Sequence, residues 1–356
     1  MSSPMQIIRR DAAPGATAIA TALAAVHGHV QPLHWGPTHS VRDGGEDPLD
    51  GVSAFPSEGH WHYVTYGLTQ QRAEDASFPF QPGLSGFGFE LTFRLARLEG
   101  QPPPVWPVVM LQRLARYVFR SSNVFRPGDH MDLQLPMGGD ARTELRGALF
   151  TDDPQVGPVE TAHGLVRFVQ VVGVTLAELE AVKDWSCEGF LRVLSERDPF
   201  FVTDLLRPDY LADASFAQAC RQGARIDGSS HGSSFATAVN WNELLVDGSP
   251  GIEVVVGAIA VPDLRRALRL RLPYNRPFRL HGRRASIRFV PALAPGFKTE
   301  GPELVLGVPW DAAAGLAETL RERRGRYEWP GMPRVSVVVE PTDVRGARGE
   351  LLRVLG

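Results

Sequence analysis

The segment from Phe87 to Leu95 alternates strictly between large apolar side chains and small or polar ones. A period of two places successive side chains on opposite faces of a β-strand, whereas helical periodicity is close to 3.6 residues. This pattern predicts a long strand with one apolar face, so the chain is expected to build a sheet and to cover that face. The apolar set is Phe87, Phe89, Leu91, Phe93 and Leu95.

The remaining elements mix strands and helices without a regular succession. Alternation predicts a strand from Trp61 to Tyr66, and a run of apolar residues predicts another from Val166 to Val174. Pro107 opens a predicted amphipathic helix that continues to Phe119. The stretch from Gly36 to Ser57, rich in Gly, Pro and Asp, is interpreted as a surface loop. This irregular order predicts an α+β fold rather than a strict βαβ succession.

The chain length predicts two domains, because 356 residues exceed what one hydrophobic core usually supports. The best linker candidate is the segment from Ile226 to Ser234, which holds two glycines and four serines. We therefore predict one domain over residues 1–227 and another over 228–356, each a mixed β-sheet flanked by helices.

The charge balance argues against nucleic acid as a direct partner. The chain has 37 basic and 40 acidic residues, with a net charge of −3, so no global positive field attracts phosphate backbones. The only lysines are Lys183 and Lys298, and neither follows a glycine, which excludes a phosphate-binding Gly-Lys-Ser/Thr loop.

The cysteine count and the hydropathy pattern predict a cytoplasmic protein without a membrane segment. Cys187 and Cys220 are the only thiols, too few for a disulfide framework or a cysteine-rich zinc site, which suits a reducing compartment. The longest apolar run, from Val254 to Val261, is far shorter than the roughly 20 residues that span a bilayer.

Two histidines offer one catalytic alternative. His60 and His62 lie two residues apart on a predicted strand and so face the same side, which is acceptable for two metal ligands. Asp129 and His130 are candidates for the remaining ligands of a metal-assisted hydrolase. No HExxH or similar spacing supports this reading, and structural hydrogen bonding by the imidazoles is the competing interpretation.

Other motifs carry less chemistry. The adjacent carboxylates Asp152 and Asp153 are compatible with an acid or metal pair, or with capping of a turn. Ser230 lies in a G-x-S-x-G pattern, but a nucleophile elbow requires a strand before it and a helix after it, and neither is predicted there. Since no catalytic constellation emerges and no cofactor is predicted, a binding role is favoured over catalysis.

Several motifs, in order and spacing, resemble the Suppressor of fused family. The resemblance runs from Pro14 to Glu340 and is most specific in the sequences SGFGFELTFRL and LARYVF. Its segments are His60–Tyr63, Gly67–Leu68, Ser85–Leu95, Leu114–Phe119, Gly128–His130, Thr151–Gln155, Val171–Val174, Asp227–Ser229, Leu280–Arg283 and Trp329–Pro330.

The resemblance implies a two-domain, non-catalytic protein that captures partners. In animal members of the family, the two domains close around a short extended peptide of Gli-type transcription factors, and the peptide adds a strand between them. Main-chain hydrogen bonds then supply general affinity, while side-chain pockets supply selection.

The resemblance also implies which residues bind. Tyr117 in LARYVF and Asp129 in Gly-Asp-His match a tyrosine and an aspartate that hold a histidine of the ligand. Asp152, in the Thr151–Gln155 motif, belongs to the same predicted protein-binding site. From the second domain, Phe235 and the strand around Leu270 and His281 match positions that line the family's cleft.

The composition points to a bacterial source, because the 37 basic residues comprise 35 arginines and two lysines, as in GC-rich microbial genomes. A bacterium has no Gli factor. The resemblance then implies an immunity protein that neutralises a toxin, or another kind of regulator. The short segment from Asn242 to Ile252 also replaces the long phosphorylatable insertion of the animal proteins.

Overall fold

The computed structural model describes residues 14–39, 44–69, 82–97, 100–345 and 350–356. The chain divides into two compact units: residues 1–180 with 187–217, and residues 181–186 with 218–356. The sequence-based boundary at 227 to 228 falls ten residues after the first unit ends, and it stays a prediction.

The first unit is built on one large sheet. Its strands are β1 (Leu33–Trp35), β2 (Gly51–Ser57), β3 (His60–Tyr66), β4 (Leu84–Ala96), β5 (His130–Asp132), β6 (Leu145–Asp152), β7 (Val159–Thr161) and β8 (Gly164–Thr175). Its helices are α1 (Pro14–His27), α2 (Trp106–Ser121) and α4 (Cys187–Ser195), while α3 (Leu176–Asp184) and α5 (Ala214–Asp227) each run from one unit into the other along the chain.

The strands follow the order β1-β2-β3-β4-β8-β6-β5, with β7 paired to β8 outside this path. Only the β4–β8 pair is parallel, so the sheet is mixed. The predicted α+β class is confirmed, and β1 and β5 form the two edges.

The apolar face of β4 lies under α2, as the alternation predicts. Phe89, Leu91 and Phe93 belong to one hydrophobic core with Leu111 and Leu114 of α2. Burying these large side chains contributes about 1.5–3 kcal/mol each. The predicted helix at Pro107–Phe119 is therefore confirmed, with its proline in the first turn, where a missing N–H costs nothing.

The polar face of β4 is buried as well. Glu90, Thr92 and Arg94 have no exposed surface, whereas an alternating strand usually turns its polar side chains to water. On this face, Ile19 and Leu23 of α1 pack into a second apolar core. Polar groups that lose water must find partners inside the protein.

Arg94 finds its main partner in Asp153, directly after β6. Its Nη1 and Nη2 atoms lie 2.7 Å and 2.9 Å from the two carboxylate oxygens, and both side chains are fully buried. Gln170 and Gln155 accept further hydrogen bonds from the guanidinium. Asp153 also accepts the backbone N–H groups of Gln155 and Val156, each at 2.9 Å, so the same carboxylate closes the turn after β6.

Two histidines continue this network. Because a carboxylate only accepts, His62 donates from Nε2 to Asp153 over 3.0 Å, and its Nδ1 then accepts from Nε2 of His27, also at 3.0 Å. Burial lowers the pKa of both imidazoles to about 4, so both are neutral at pH 7. Burial alone raises the pKa of Asp153, but the donors from His62 and Arg94 hold that pKa well below its usual range.

A second buried carboxylate, Glu90, has no cationic partner among the residues that the structure describes. Its oxygens accept from the Thr65 hydroxyl at 2.6 Å, the Thr69 hydroxyl at 2.7 Å, and the backbone N–H groups of Gly67 and Thr69 at 2.9 Å and 3.0 Å. Burial raises its pKa to about 7, and these four donors only partly offset that rise.

The second unit contains two mixed sheets and a hairpin, where the sequence predicts one mixed sheet. The strand orders are β10-β11-β17-β16, β14-β15-β13-β12-β9 and β18-β19. The first five strands are β9 (Ser233–Phe235), β10 (Val239–Val246), β11 (Ser249–Gly257), β12 (Phe278–His281) and β13 (Ser286–Pro291). The others are β14 (Gly296–Glu300), β15 (Glu303–Val308), β16 (Gly325–Glu328), β17 (Val335–Glu340), β18 (Thr342–Arg345) and β19 (Leu351–Leu355).

Helices α6 (Val261–Leu270) and α7 (Trp310–Thr319) share one hydrophobic core with both larger sheets of the second unit. The segment from Asn242 to Ile252 forms part of the β10–β11 hairpin. Within the described residues, no helix is both long enough and apolar enough to cross a bilayer.

The segment predicted as a Gly/Ser linker is firmly held. Ser229 is buried, its N–H donates to the Leu270 carbonyl at 2.6 Å, and its own carbonyl accepts from Arg271 at 2.7 Å. Gly228 has φ +69°, and a side chain there would meet the Leu270 carbonyl and the Tyr274 ring. Because Gly228 has no side chain, the backbone there can approach the end of α6 and Tyr274 closely.

The prediction of a surface loop over residues 36–57 is wrong for its last seven residues. Residues 51–57 form β2, although Gly36–Ser57 was expected to be a loop. Pro56 has no N–H to donate, which argues against a central strand from sequence alone. In the structure β1 pairs with β2 only through Val52, Ser53 and Ala54, so Pro56 lies beyond that pairing.

We expect the buried ion pair to stabilise the first unit strongly. Asp153→Asn leaves the Arg94 charge buried without compensation, and such losses cost about 3–5 kcal/mol. The neighbouring Asp152 is exposed, so Asp152→Asn is a matched control that should change stability by less than about 0.5 kcal/mol. Urea unfolding of the three proteins measures both effects, and equal losses would contradict this assignment.

We also expect Glu90 to make stability pH-dependent. Because its folded pKa of about 7 exceeds the ordinary 4.5, its contribution is present below pH 4.5 and is lost as the pH rises to 7. The stability difference between the native chain and Glu90→Gln should fall by up to about 3 kcal/mol over this range. His27 and His62 act in the opposite direction, because their lowered pKa values cost stability as the pH falls from 6.5 to 4.

The comparison with Glu90→Gln removes those histidine contributions, since both proteins carry them. Unfolding curves at pH 4.5, 6 and 7.5 provide the measurement. A difference between the two proteins that stays constant over this range would show that Glu90 does not titrate as described.

Candidate functional site

Tyr117 and Asp129 are linked to the same short segment, because Tyr117 stacks on Phe125 and Asp129 accepts the N–H of the next residue, Arg126. Tyr117, on α2, is 40% exposed and stacks on Phe125 with ring centroids 5.6 Å apart. Phe125 stacks in turn on Phe150 of β6 at 4.1 Å. Packing against Phe125 thus uses one face of the Tyr117 ring, and the side chain stays 40% exposed.

The Tyr117 hydroxyl accepts a hydrogen bond from Asn123 Nδ2 at 3.1 Å. Within the described part of the chain its own proton has no acceptor, so the hydroxyl can donate to a ligand.

Asp129 precedes β5 and is exposed. Its Oδ2 accepts the Arg126 N–H at 2.8 Å, and its backbone carbonyl accepts the Phe150 N–H at 2.9 Å. The side chain thus closes the turn at Gly128. Among the described residues, none donates a hydrogen bond to Oδ1, so half of the carboxylate remains available for recognition.

Asp152 ends β6 and lies two residues after Phe150, so strand alternation directs both side chains to the same face. Asp152 is exposed, while Phe150 is buried against Phe125. Asp129 directly precedes the edge strand β5, and Asp152 ends the neighbouring strand β6, three residues beyond its pairing with β5. We call this group, Tyr117, Phe125, Asp129 and Asp152 with β5, the β5 surface.

In the second unit, Phe235 and His281 lie together at another sheet edge. Phe235, on β9, is 79% exposed, and its ring stacks on His281 of β12 with centroids 4.8 Å apart and planes 21° apart. The pair offers a flat aromatic surface to a ligand.

The outer side of β9 has no strand beside it in the described parts of the chain, because β9 pairs only with β12. The Gly232 carbonyl and the Ala236 N–H are bonded to Arg279 and His281. Backbone groups alternate along a strand, so those of Ser233 and Phe235 point outward. We call this row, with the Phe235–His281 pair, the β9 edge.

A side chain that the sequence did not flag holds β9 in place. The Asp263 carboxylate, in the first turn of α6, accepts the Ser234 hydroxyl at 2.6 Å and lies 3.6 Å from His231 Nε2. Burial raises the pKa of Asp263, but His231 and Ser234 together hold it well below its usual range. An acid in a first helical turn is too common a signal to reveal this role.

Leu270 does not lie on a strand with His281. It is the last residue of α6, half-buried, and its carbonyl accepts the Ser229 N–H. The helix continues to this point because the apolar positions Leu264, Ala267 and Leu268 follow helical spacing toward the core. Its contribution to the binding surface stays a prediction.

The metal alternative fails on geometry. Strands β4, β8 and β6 separate β3, which carries His60 and His62, from β5, and four strand spacings amount to about 19 Å. His62 is engaged on both nitrogens, and His60 donates from Nδ1 to the Glu58 carbonyl. These histidines and Asp129 therefore cannot share one ion. In the described ranges, no three histidine, cysteine or acidic side chains are grouped so as to hold a metal.

The family model of the Suppressor of fused protein (SUFU) matches residues 45–208. The Suppressor of fused homologs of Homo sapiens and Mus musculus are each 37% identical to this chain over 218 residues. These matches cover 56% of this chain and 45% of each homolog, so the chain spans less than half the length of the curated relatives. Tyr117, Asp129 and Asp152 lie inside the matched range, whereas Phe235, Leu270 and His281 follow it.

Solved structures extend the similarity to both units. The crystal structure of Drosophila Suppressor of Fused aligns over 92% of this chain and 97% of its own, with a TM-score of 0.78 and 23% identity, which establishes the shared fold. The crystal structure of the Sufu–Fu complex aligns over 59% of this chain and 97% of its own, with a TM-score of 0.54 and 30% identity. With this fold, this identity and the matching family model, the chain belongs to the Suppressor of fused family.

Proposed function

We propose that this chain is a non-catalytic protein-binding module that binds an extended peptide of a partner protein by strand addition. The observation that carries the proposal is the position of the candidate residues. Tyr117 and Asp129 lie beside the edge strand β5, and Phe235 lies on the edge strand β9. Binding is also what the complex of the relative Sufu with Fu displays.

The β9 edge supplies main-chain affinity. The outward backbone groups of Ser233 and Phe235 offer donors and acceptors at strand spacing, as β-augmentation requires. Edge strands are otherwise a hazard for aggregation, and β9 is kept to three residues. The Phe235–His281 pair adds an apolar contact for a side chain of the bound peptide.

The β5 surface supplies side-chain selection. The available Oδ1 of Asp129 and the donor capacity of the Tyr117 hydroxyl suit an imidazole that is protonated or that donates an N–H. This agrees with the ligand histidine that the family resemblance implies.

The partner that we propose is a toxin made by the same microbe, which this chain would neutralise in the cytoplasm. Support comes from the arginine-rich, lysine-poor composition and from what the family resemblance implies for a member from a bacterium. A non-catalytic role is supported by the wide separation of the histidines from Asp129, because the one catalytic set that the sequence suggests is never assembled.

We expect Asp129→Arg to weaken peptide binding at least about tenfold, because it replaces an acceptor with a like charge for a cationic or N–H-bearing ligand. The probe is a peptide selected by the native chain from a random library, with affinity measured by titration calorimetry. Glu160→Arg, at an exposed position of β7, makes the same charge change elsewhere and should leave affinity unchanged. Full affinity of the Asp129→Arg protein, with an unchanged circular dichroism spectrum, would remove Asp129 from the site.

We also expect a bound peptide to slow backbone hydrogen exchange at Ser233 and Phe235, because strand addition gives their outward N–H groups partners. Strand β14, the opposite edge of the same sheet, is an internal control and should not change. Exchange measured by mass spectrometry or NMR provides the comparison. Protection of β14 but not β9 would place the peptide elsewhere.

A further inference from the structure

A cavity of about 350 Å³ opens on the outer face of the five-stranded sheet, beside the β9 edge. Its lining includes Gly232 and Ser233 at the start of β9, Arg279 and His281 of β12, and Arg288 of β13. Every lining residue belongs to the second unit, so this unit alone forms the cavity.

The two arginines of this cavity both contact Glu303, and Arg288 also contacts Glu300 at 3.5 Å. Arg279 and Arg288 are direct cross-strand partners. The Glu303 carboxylate lies between them, with Oε1 at 2.8 Å from Arg279 Nε and Oε2 at 3.2 Å from Arg288 Nε. Both Nη groups of Arg279 lack a hydrogen-bond partner among the described residues, so this guanidinium retains its outer donors.

The charges on this face do not cancel. By register and alternation, the face carries Arg279, Arg288 and Lys298 against Glu300 and Glu303, which leaves one positive charge. Glu300 pairs with Lys298 at 2.5 Å and also lies 3.5 Å from Arg288. Among the described residues Arg279 is paired with Glu303 alone, so its guanidinium has the least compensated charge on this face. Burial lowers the pKa of His281, which keeps that imidazole neutral at pH 7.

The open edge leads to these arginines. Ser233 is the register partner of Arg279, whereas the bulky Phe235 is the partner of His281. Across the strands, the small Ser233 side chain leaves access to Arg279, whereas the stacked rings of Phe235 and His281 fill the next cross-strand position. A strand added beside β9 would lie two spacings, about 10 Å, from β12, and it would direct alternate side chains onto this face.

We propose that this cavity is a subsite for an aspartate or glutamate side chain of the bound peptide. The Arg279 guanidinium holds the carboxylate in a two-pronged contact, and Arg288 supplies the second positive charge. The inference rests on the proposed strand addition at β9 and adds a sequence requirement to it: an acidic residue at the peptide position that crosses Ser233.

Peptide selection tests this requirement. The native chain and the Arg279→Gln, Arg288→Gln and Arg284→Gln variants each select binders from one random peptide library. Arg284 is exposed in the turn between β12 and β13 and serves as the charge-matched control. We expect an acidic residue at one fixed position in peptides selected by the native chain and by Arg284→Gln, and its loss with the other two variants.

The outcomes separate the two proposals. If the native chain selects strand-forming peptides without an acidic preference, the subsite is wrong while the proposed function stands. If it selects no peptide, the proposed function fails and the subsite fails with it.

A double-mutant cycle on one selected peptide gives the second test. Arg279→Gln in the protein and the acid-to-amide change in the peptide should each weaken binding at least about tenfold, and together no more than either alone. Independent, multiplying losses would overturn the contact. Arg279→Lys keeps the charge without the planar fork, so it should restore part of the affinity and show that the loss does not come from misfolding.

Discussion

The first unit depends on one buried ion pair, Arg94 with Asp153. Arg94 comes from the middle of the sheet, and Asp153 follows the strand next to the edge, so the pair joins β4 to the end of β6 across β8. An unpaired charge at either position would be several kcal/mol too costly to bury. The network therefore fixes where β6 ends, and with it the positions of Phe150, Phe125 and the exposed Asp152 and Asp129.

The same principle operates on a smaller scale in the second unit. Asp263 accepts from Ser234 and so holds β9, while the outer side of β9 has no strand beside it within the described ranges. In the first unit a buried carboxylate fixes the turn after β6, the strand beside the edge, and in the second unit a half-buried carboxylate holds the edge strand β9 itself. An edge that is rigid before binding loses less conformational entropy when a peptide is added, which favours affinity.

Local hydrophobic patterns correctly predicted the elements whose apolar face packs against another apolar face. The alternation of apolar residues from Phe87 to Leu95 predicted β4 and its covered face, and the helical spacing after Pro107 predicted α2. The candidates Tyr117, Asp129, Phe235 and His281 came from motif resemblance, and the structure places each of them at or beside a sheet edge. The prediction failed for β2, where the Gly, Pro and Asp content of residues 36–57 suggested a loop, and for Leu270, which ends a helix. For β2, tertiary pairing outweighed a local signal, whereas for Leu270 the helical spacing of α6 outweighed an assignment that came from the motif resemblance.

The sequence by itself determined the α+β class, the apolar face of the central strand and the family, because these follow from periodicity and from ordered motifs along the chain. Only the tertiary structure decided that Asp153 is a buried structural carboxylate while its neighbour Asp152 is exposed, that His60 and His62 lie far from Asp129, and that Arg279 and Arg288 share Glu303. The physical reason is that burial and pairing depend on which distant strands become neighbours. Strand order is set by the packing of the whole sheet, and no local pattern encodes it.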